Sequence, residues 1–129
     1  MNIPEDLRYA KDHEWVRLEG NVATVGITDH AQGELGDLVY VEIDTLGEYV
    51  DMGEVFGTVE AVKTTSDLYM PLSGKVIEFN DRLSEEGEDN PALINEEPYG
   101  QGWIIKVDVQ DMDEYQTLLT AEEYKDLID

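Results

Sequence analysis

A mainly β fold, a small sandwich or flattened barrel with a short helix near residues 29–35 and a C-terminal helical tail, is predicted by three observations. Short runs rich in Val, Ile, Tyr and Phe recur along the chain. Glycine-bearing turns separate them at short intervals. Helical spacing of apolar residues is confined to the last twenty residues and to that one short stretch. No linker-like segment interrupts the 129 residues, so one domain over 1–129 is expected.

Glu14–Leu18 alternates apolar and polar, Gly20-Asn21 supplies a turn, and Val22–Ile27 follows, which predicts a hairpin. From Thr28 to Gly36 the pattern is that of a short helix. Asp29 is its expected N-cap with Gln32 three residues on, Ala31 and Leu35 share a face, and Gly36 ends it. Leu38–Ile43 is β-branched and reads as a strand. Gly47 and Gly53 bracket a short Tyr49-Val50 segment.

Residues 55–74 form two strands joined by a tight turn. Strict alternation places Val55, Gly57, Val59 and Ala61 on one face and Phe56, Thr58, Glu60 and Val62 on the other. Leu68, Met70 and Leu72 alternate after the turn, and Pro71, which has no N–H, predicts an edge or irregular position. Lys75–Phe79 is a further strand. Ser84–Pro91 is acidic and aperiodic; it lacks the alternate oxygen ligands of an EF-hand and reads as a solvated loop. In 103–109, Trp103, Ile105, Val107 and Val109 share the face of a half-buried strand. Two capped helical patterns end the chain: Asp111 with Glu114 and a Tyr115/Leu118/Leu119 stripe, then Thr120 with Glu123 and a Tyr124/Leu127/Ile128 stripe. Such stripes predict packing on the sheets.

Composition excludes several functions. The formal net charge is −23, from 31 acidic and eight basic residues. That surface repels phosphate backbones and anionic membranes, so neither nucleic acid nor membrane is an expected partner. Its plainest reading is solubility or adaptation to a salty cell, and electrostatic steering toward larger, basic-faced partners is compatible with it. Without cysteine the chain has no thiolate ligand, disulfide or thiol nucleophile of its own. Met1–Asp6 lacks the apolar core of a signal peptide and no apolar run approaches the ~18 residues of a membrane span, so a soluble, cytoplasmic protein is expected. The two histidines, His13 and His30, form no metal-ligand spacing, and no nucleophile elbow or phosphate-cradling loop occurs. As an unmodified chain this is a poor enzyme.

Lys63 stands apart. Of the five lysines it alone lies in a hairpin turn with uncharged flanks, Val62 and Thr64-Thr65. Turn statistics alone would make it an ordinary exposed lysine. The surrounding run changes that reading. Glu60-Ala61-Val62-Lys63-Thr64-Thr65-Ser66-Asp67, continued by Leu68-Tyr69-Met70-Pro71-Leu72-Ser73-Gly74, resembles the lipoyl-lysine hairpin of glycine cleavage system H proteins. Further landmarks fall in the family's order: Tyr9, His13-Glu14-Trp15, Val25–Gln32, Leu35–Val41, Pro91–Asn95, Pro98-Tyr99 and Gly102-Trp103. The resemblance covers nearly the whole chain.

It implies a barrel-sandwich hybrid (lipoyl-domain-like) fold and lipoate amide-linked to Lys63. It implies a carrier role: taking the aminomethyl group of glycine from a pyridoxal-phosphate glycine decarboxylase (P protein), passing the methylene to tetrahydrofolate on an aminomethyltransferase (T protein), and being reoxidised by dihydrolipoyl dehydrogenase (L protein). Lipoate-attaching enzymes are further implied partners, reading Glu60, Val62, Thr64 and Gly74 around the lysine. Glu14 and Asp67 match the family's arm-docking cleft, with His30 and Glu34 beside it. Glu34 stands where some members carry histidine and Asp12 where some carry a small polar residue, which makes this mouth more negative. The acidic loop 84–90 is longer than is common in the family. A monomer is expected, and a mitochondrial matrix location if the chain is a mature eukaryotic protein. Biotin is disfavoured because the lysine lies between Val62 and Thr64 rather than two methionines. The alternatives are an H-like lipoyl donor or relay, and an unmodified β binding module.

Overall fold

A computed structural model describes all residues, 1–129. In chain order the elements are β1 (Arg8–Tyr9), β2 (Glu14–Glu19), β3 (Val22–Ile27), α1 (Asp29–Leu35), β4 (Leu38–Glu42), β5 (Tyr49–Val50), β6 (Val55–Ala61), β7 (Thr65–Tyr69), β8 (Gly74–Phe79), α2 (Ala92–Glu96), β9 (Ile105–Val109), α3 (Met112–Gln116) and α4 (Ala121–Ile128). The strands form two antiparallel sheets, ordered β1-β2-β3-β9-β8-β5 and β4-β6-β7. Both contribute to one apolar core of 21 buried residues, with Val16, Val25, Val76 and Val107 from the larger sheet and Val41, Val59 and Leu68 from the smaller. This is the flattened sandwich expected from the strand pattern.

A second cluster fastens the C-terminal tail. Leu7, Tyr9 and Trp15 pack with Ala121 and Tyr124 of α4, and the Tyr9 and Tyr124 rings stack at 4.8 Å. The Trp15 indole donates to the Pro98 carbonyl at 2.9 Å, so its polar edge is satisfied although the ring is fully buried. α4 begins with a complete capping box between Thr120 and Glu123.

Several local expectations need correction. The N-cap of α1 is Thr28, whose hydroxyl accepts from the Ala31 N–H; Asp29 is the first helical residue and accepts from the Gln32 side chain and the Asn2 N–H. Gly36 does end the helix, at φ +82°, a conformation that favours glycine. Strict alternation fails in β6 because the register shifts between Val55 and Gly57. That bulge turns Phe56 into the core and leaves Val55 exposed. The last strand starts at Ile105, not Trp103, and Ile104 is buried together with Ile105. Asp111 caps α3 through the Asp113 N–H, but Glu114 completes no box. Its carboxylate instead takes the backbone N–H and the hydroxyl of Ser73, at 2.7 and 3.0 Å. Leu127, placed on the apolar stripe of α4, is 48% exposed, because Tyr124 and Ala121 already fill the contact with β1 and β2. β7 ends at Tyr69, ahead of Pro71, and is an edge strand as predicted.

Gly74 begins β8, flanked by Val50 and Val109 on the neighbouring strands. A β-carbon there would sit 2.3 Å from the Asp108 carbonyl oxygen and 2.5 Å from Val107 Cγ1. Gly74→Ala is therefore expected to push β8 from β9 and destabilise the fold by about 2 to 3 kcal/mol. Urea unfolding checks this. An unchanged midpoint would show that the strands separate without penalty.

Candidate functional site

The hairpin that carries Lys63 is fixed by its backbone, and the Val62 and Lys63 side chains at its tip are exposed. β6 and β7 remain in register up to Glu60 opposite Thr65. The Ala61 N–H then donates to the Thr64 carbonyl at 2.7 Å, which leaves Val62 and Lys63 as the tip. A second brace joins the tip to the other strand: the Val62 N–H donates to the Asp37 carbonyl at 3.1 Å, just before β4. Val62 is 71% exposed, and Lys63 and Thr64 are exposed beside it. Lys63 lies in neither of the molecule's two ion pairs, so its amine is held by no carboxylate. Glu60 is also exposed on β6. Gly74 is not near this tip in the chain's layout; it lies in the larger sheet, where close approach to β9 accounts for the glycine.

Beside the hairpin is a cleft of ≈ 280 Å³. Asp12, His13 and Glu14 enter it from the turn before β2 and from its first residue, Ile27 from the end of β3, His30, Ala31, Glu34 and Leu35 from α1, and Ser66, Asp67 and Leu68 from β7. The four residues expected at an arm-docking cleft, Glu14, Asp67, His30 and Glu34, therefore meet in one depression. From Lys63 to Asp67 the chain runs four residues, roughly 13 Å of strand.

Glu14 dominates the chemistry. It is only 2% exposed, and one carboxyl oxygen accepts from the Tyr69 N–H at 3.3 Å. The other oxygen, Oε1, is buried with no partner. Burial pushes the carboxyl up to about 9, with the Tyr69 bond pulling the other way and Asp12 adding repulsion. At neutral pH Glu14 therefore holds its proton while the cleft is empty. Buried polar atoms are rarely left unpaired. Glu14 thus brings a carboxyl oxygen with no partner to the wall of the cleft.

The cleft wall is rigid for reasons that sequence reading missed. His13 adopts φ +74°, and its Nδ1 lies 2.8 Å from the Tyr124 hydroxyl, which in turn is 2.7 Å from Thr28 Oγ1. The Thr28 N–H donates to the His13 carbonyl. The C-terminal helix thereby holds the turn that presents Glu14. Burial, and then the neighbouring His30, lower the pKa of His13, and the two imidazoles lie 5.1 Å apart. His30 also faces Glu34 one helical turn on, at 3.5 Å. Asn95 of α2 locks the far end of α1. Its amide donates to Gln32 Oε1 and to the Gly36 carbonyl, and its oxygen accepts from the Leu38 N–H. The five-residue α2 was legible only as part of a motif, being too short for a periodic signal.

Comparison with known proteins identifies the family and the fold. The family model described as Glycine cleavage H-protein matches residues 7–129. The chain belongs to that family. It is 51% identical over 128 residues to a glycine cleavage system H protein of Bacteroides thetaiotaomicron, covering 99% of this chain and 98% of the relative. The crystal structure of a glycine cleavage system H protein from Mycobacterium marinum superposes with a TM-score of 0.85 at 42% identity, over 96% of this chain and 97% of the other. As an H protein the chain is a carrier component of the glycine cleavage system and is not itself catalytic. The sandwich of two sheets described above is the H-protein fold.

Proposed function

We propose that this H protein carries lipoate on Lys63 and shuttles the aminomethyl group of glycine from the pyridoxal-phosphate decarboxylase to the tetrahydrofolate-dependent aminomethyltransferase, after which dihydrolipoyl dehydrogenase reoxidises it. The observation that carries the proposal is the pairing of an exposed, ion-pair-free lysine at a doubly braced tip with a cleft holding an orphaned carboxyl oxygen. When bound, lipoate supplies the redox-active sulfur pair that the cysteine-free chain lacks.

The chain's own residues do the rest. The hairpin presents Lys63 to modifying enzymes in a fixed frame, with Glu60, Val62 and Thr64 exposed around it to be read. Acylation removes the only positive charge at the tip, and tethering keeps the attached group near its own cleft at raised local concentration. Asp67, exposed, and Glu34 give the mouth negative charge that attracts a cationic group. Glu14 holds a proton until such a group arrives, and can then yield it and accept a charge-assisted hydrogen bond in a site shielded from water.

Intact and peptide mass spectrometry on protein made with lipoylation enzymes tests the attachment. A lipoyl increment confined to the peptide containing Lys63 is expected. An unmodified Lys63, in cells where a control lipoyl protein is modified, would overturn it and favour a plain binding module.

A further inference from the structure

A second depression, of ≈ 470 Å³, lies on the side of the smaller sheet away from β7. Four consecutive residues of the chain, Tyr40 to Ile43, form one wall, and the acidic loop 81–86 forms the other, with Leu46 and Phe79 between. Successive side chains of a strand point to opposite faces. A groove that touches four in a row therefore runs along the strand's edge and not over one face. β4 is the terminal strand of its sheet and pairs with β6 alone. No main-chain hydrogen bond joins Val39–Ile43 to the loop or to any other segment. The edge is thus open inside a groove that is apolar at its base and acidic at its rim.

The charge at that rim is one-sided. Glu42, Asp81, Glu85 and Glu86 line the groove and no lysine or arginine does. Arg82, the basic residue within the loop, is turned to Glu88 at 3.9 Å. The Tyr40 phenol is raised, by desolvation and then by Glu85, Glu42, Glu60 and Glu86, so these carboxylates act together on one spot.

We propose that this groove receives an extended, lysine- or arginine-bearing segment of a partner protein, added as a fourth strand along the free edge of β4. Main-chain bonds to the edge would supply affinity and the carboxylates would select the sign of the side chains. A second copy of this chain is the wrong occupant, because it would bring Glu42, Glu85 and Glu86 against their own equivalents. The placement suits a partner working at Lys63: Tyr40 is opposite Glu60, three residues or roughly 10 Å of strand from the hairpin tip. The acidic loop, which has no part in the cleft, then has a role as the outer wall of the groove.

The test uses the full, unmodified chain labelled with ¹⁵N, so its outcome is independent of whether Lys63 is acylated. The probe is a blocked octapeptide alternating lysine and valine. The expected result is amide shifts confined to 40–43 and 84–86, weakening steeply with salt. N-methylation at every second residue of the probe, which removes strand pairing while keeping the charge, is expected to weaken binding about tenfold or more. Glu85→Gln with Glu86→Gln is expected to weaken it several-fold at low salt. Equal binding by the methylated probe would reduce the groove to a counterion site and overturn the proposal. So would shifts at 12–14 or 66–68 instead, or self-association of the chain through β4 in sedimentation.

Discussion

Lys63→Arg is expected to abolish carrier activity outright while leaving the fold intact. Arginine keeps the positive charge and most of the length, but its guanidinium stays protonated and does not form the amide that a lysine amine forms. Lys63 is exposed, belongs to no ion pair and sits at a tip braced by the main-chain bonds Ala61 to Thr64 and Val62 to Asp37, neither of which uses its side chain. Its replacement should therefore shift stability by no more than about 0.5 kcal/mol. Exchange of glycine carboxyl with bicarbonate, run with the decarboxylase at wild-type protein concentration, should fall to the level seen with no H protein. Retained exchange would sink the assignment of Lys63 as the attachment site. Unfolding measured in parallel separates that loss from misfolding.

Glu14→Gln is expected to make the protein more stable at neutral pH and a worse carrier. In the unfolded chain this carboxyl ionises near 4.5, and in the folded chain at about 9. Between those values the native state binds the proton more tightly, so the native advantage present below 4.5 is lost as pH rises through the window. Glutamine imitates the protonated carboxyl and does not titrate. The stability of the variant minus that of the wild type should thus be small at pH 5 and grow with pH. With relaxation around a buried group taken into account, the growth should be about 2 kcal/mol by pH 8, against a ceiling of about 1.4 kcal/mol per pH unit. Taking a difference between the two proteins cancels the self-repulsion of the −23 charge, which also rises with pH. Urea unfolding at pH 5 and pH 8 measures it, and a difference that does not change between them would mean that Glu14 ionises normally in the fold. The functional side follows from the same chemistry. Without an ionisable group behind the orphaned oxygen, a cationic guest in the cleft loses its buried counter-charge, and protection of the loaded arm from water should fall.

Much of this protein is legible in its sequence, and the failures have physical causes. Alternation and glycine turns predicted β2, β3, β4, β8 and the hairpin because one-sided burial imposes a two-residue period. The same rule misplaced Val55 and Phe56, since a bulge changes the register and nothing in the local residue types announces it. The capping pattern was right for Thr120–Glu123, where both partners face solvent. It was half right for Asp111–Glu114: Asp111 caps α3, but Ser73, 41 residues away, offered Glu114 two better donors. The short α2 carries too few residues for a period to show, yet its Asn95 ties α1 to β4.

The sequence by itself determined the family and the β class and singled out Lys63 as the lysine proposed for attachment, because these depend on local pattern: a hairpin motif, alternating strands and a turn. It also placed Glu14 and Asp67 together through resemblance. Only the tertiary structure decided what Glu14 is. An acidic residue next to Trp15 could equally lie in water, and among 31 carboxylates nothing in the string marks it. Packing of β2 against β3 and β7, and of α4 through Tyr124 and His13, removes this one from solvent and leaves an oxygen unpaired. The open edge of β4 is likewise a matter of strand order, and strand order is set by contacts between residues far apart in the chain.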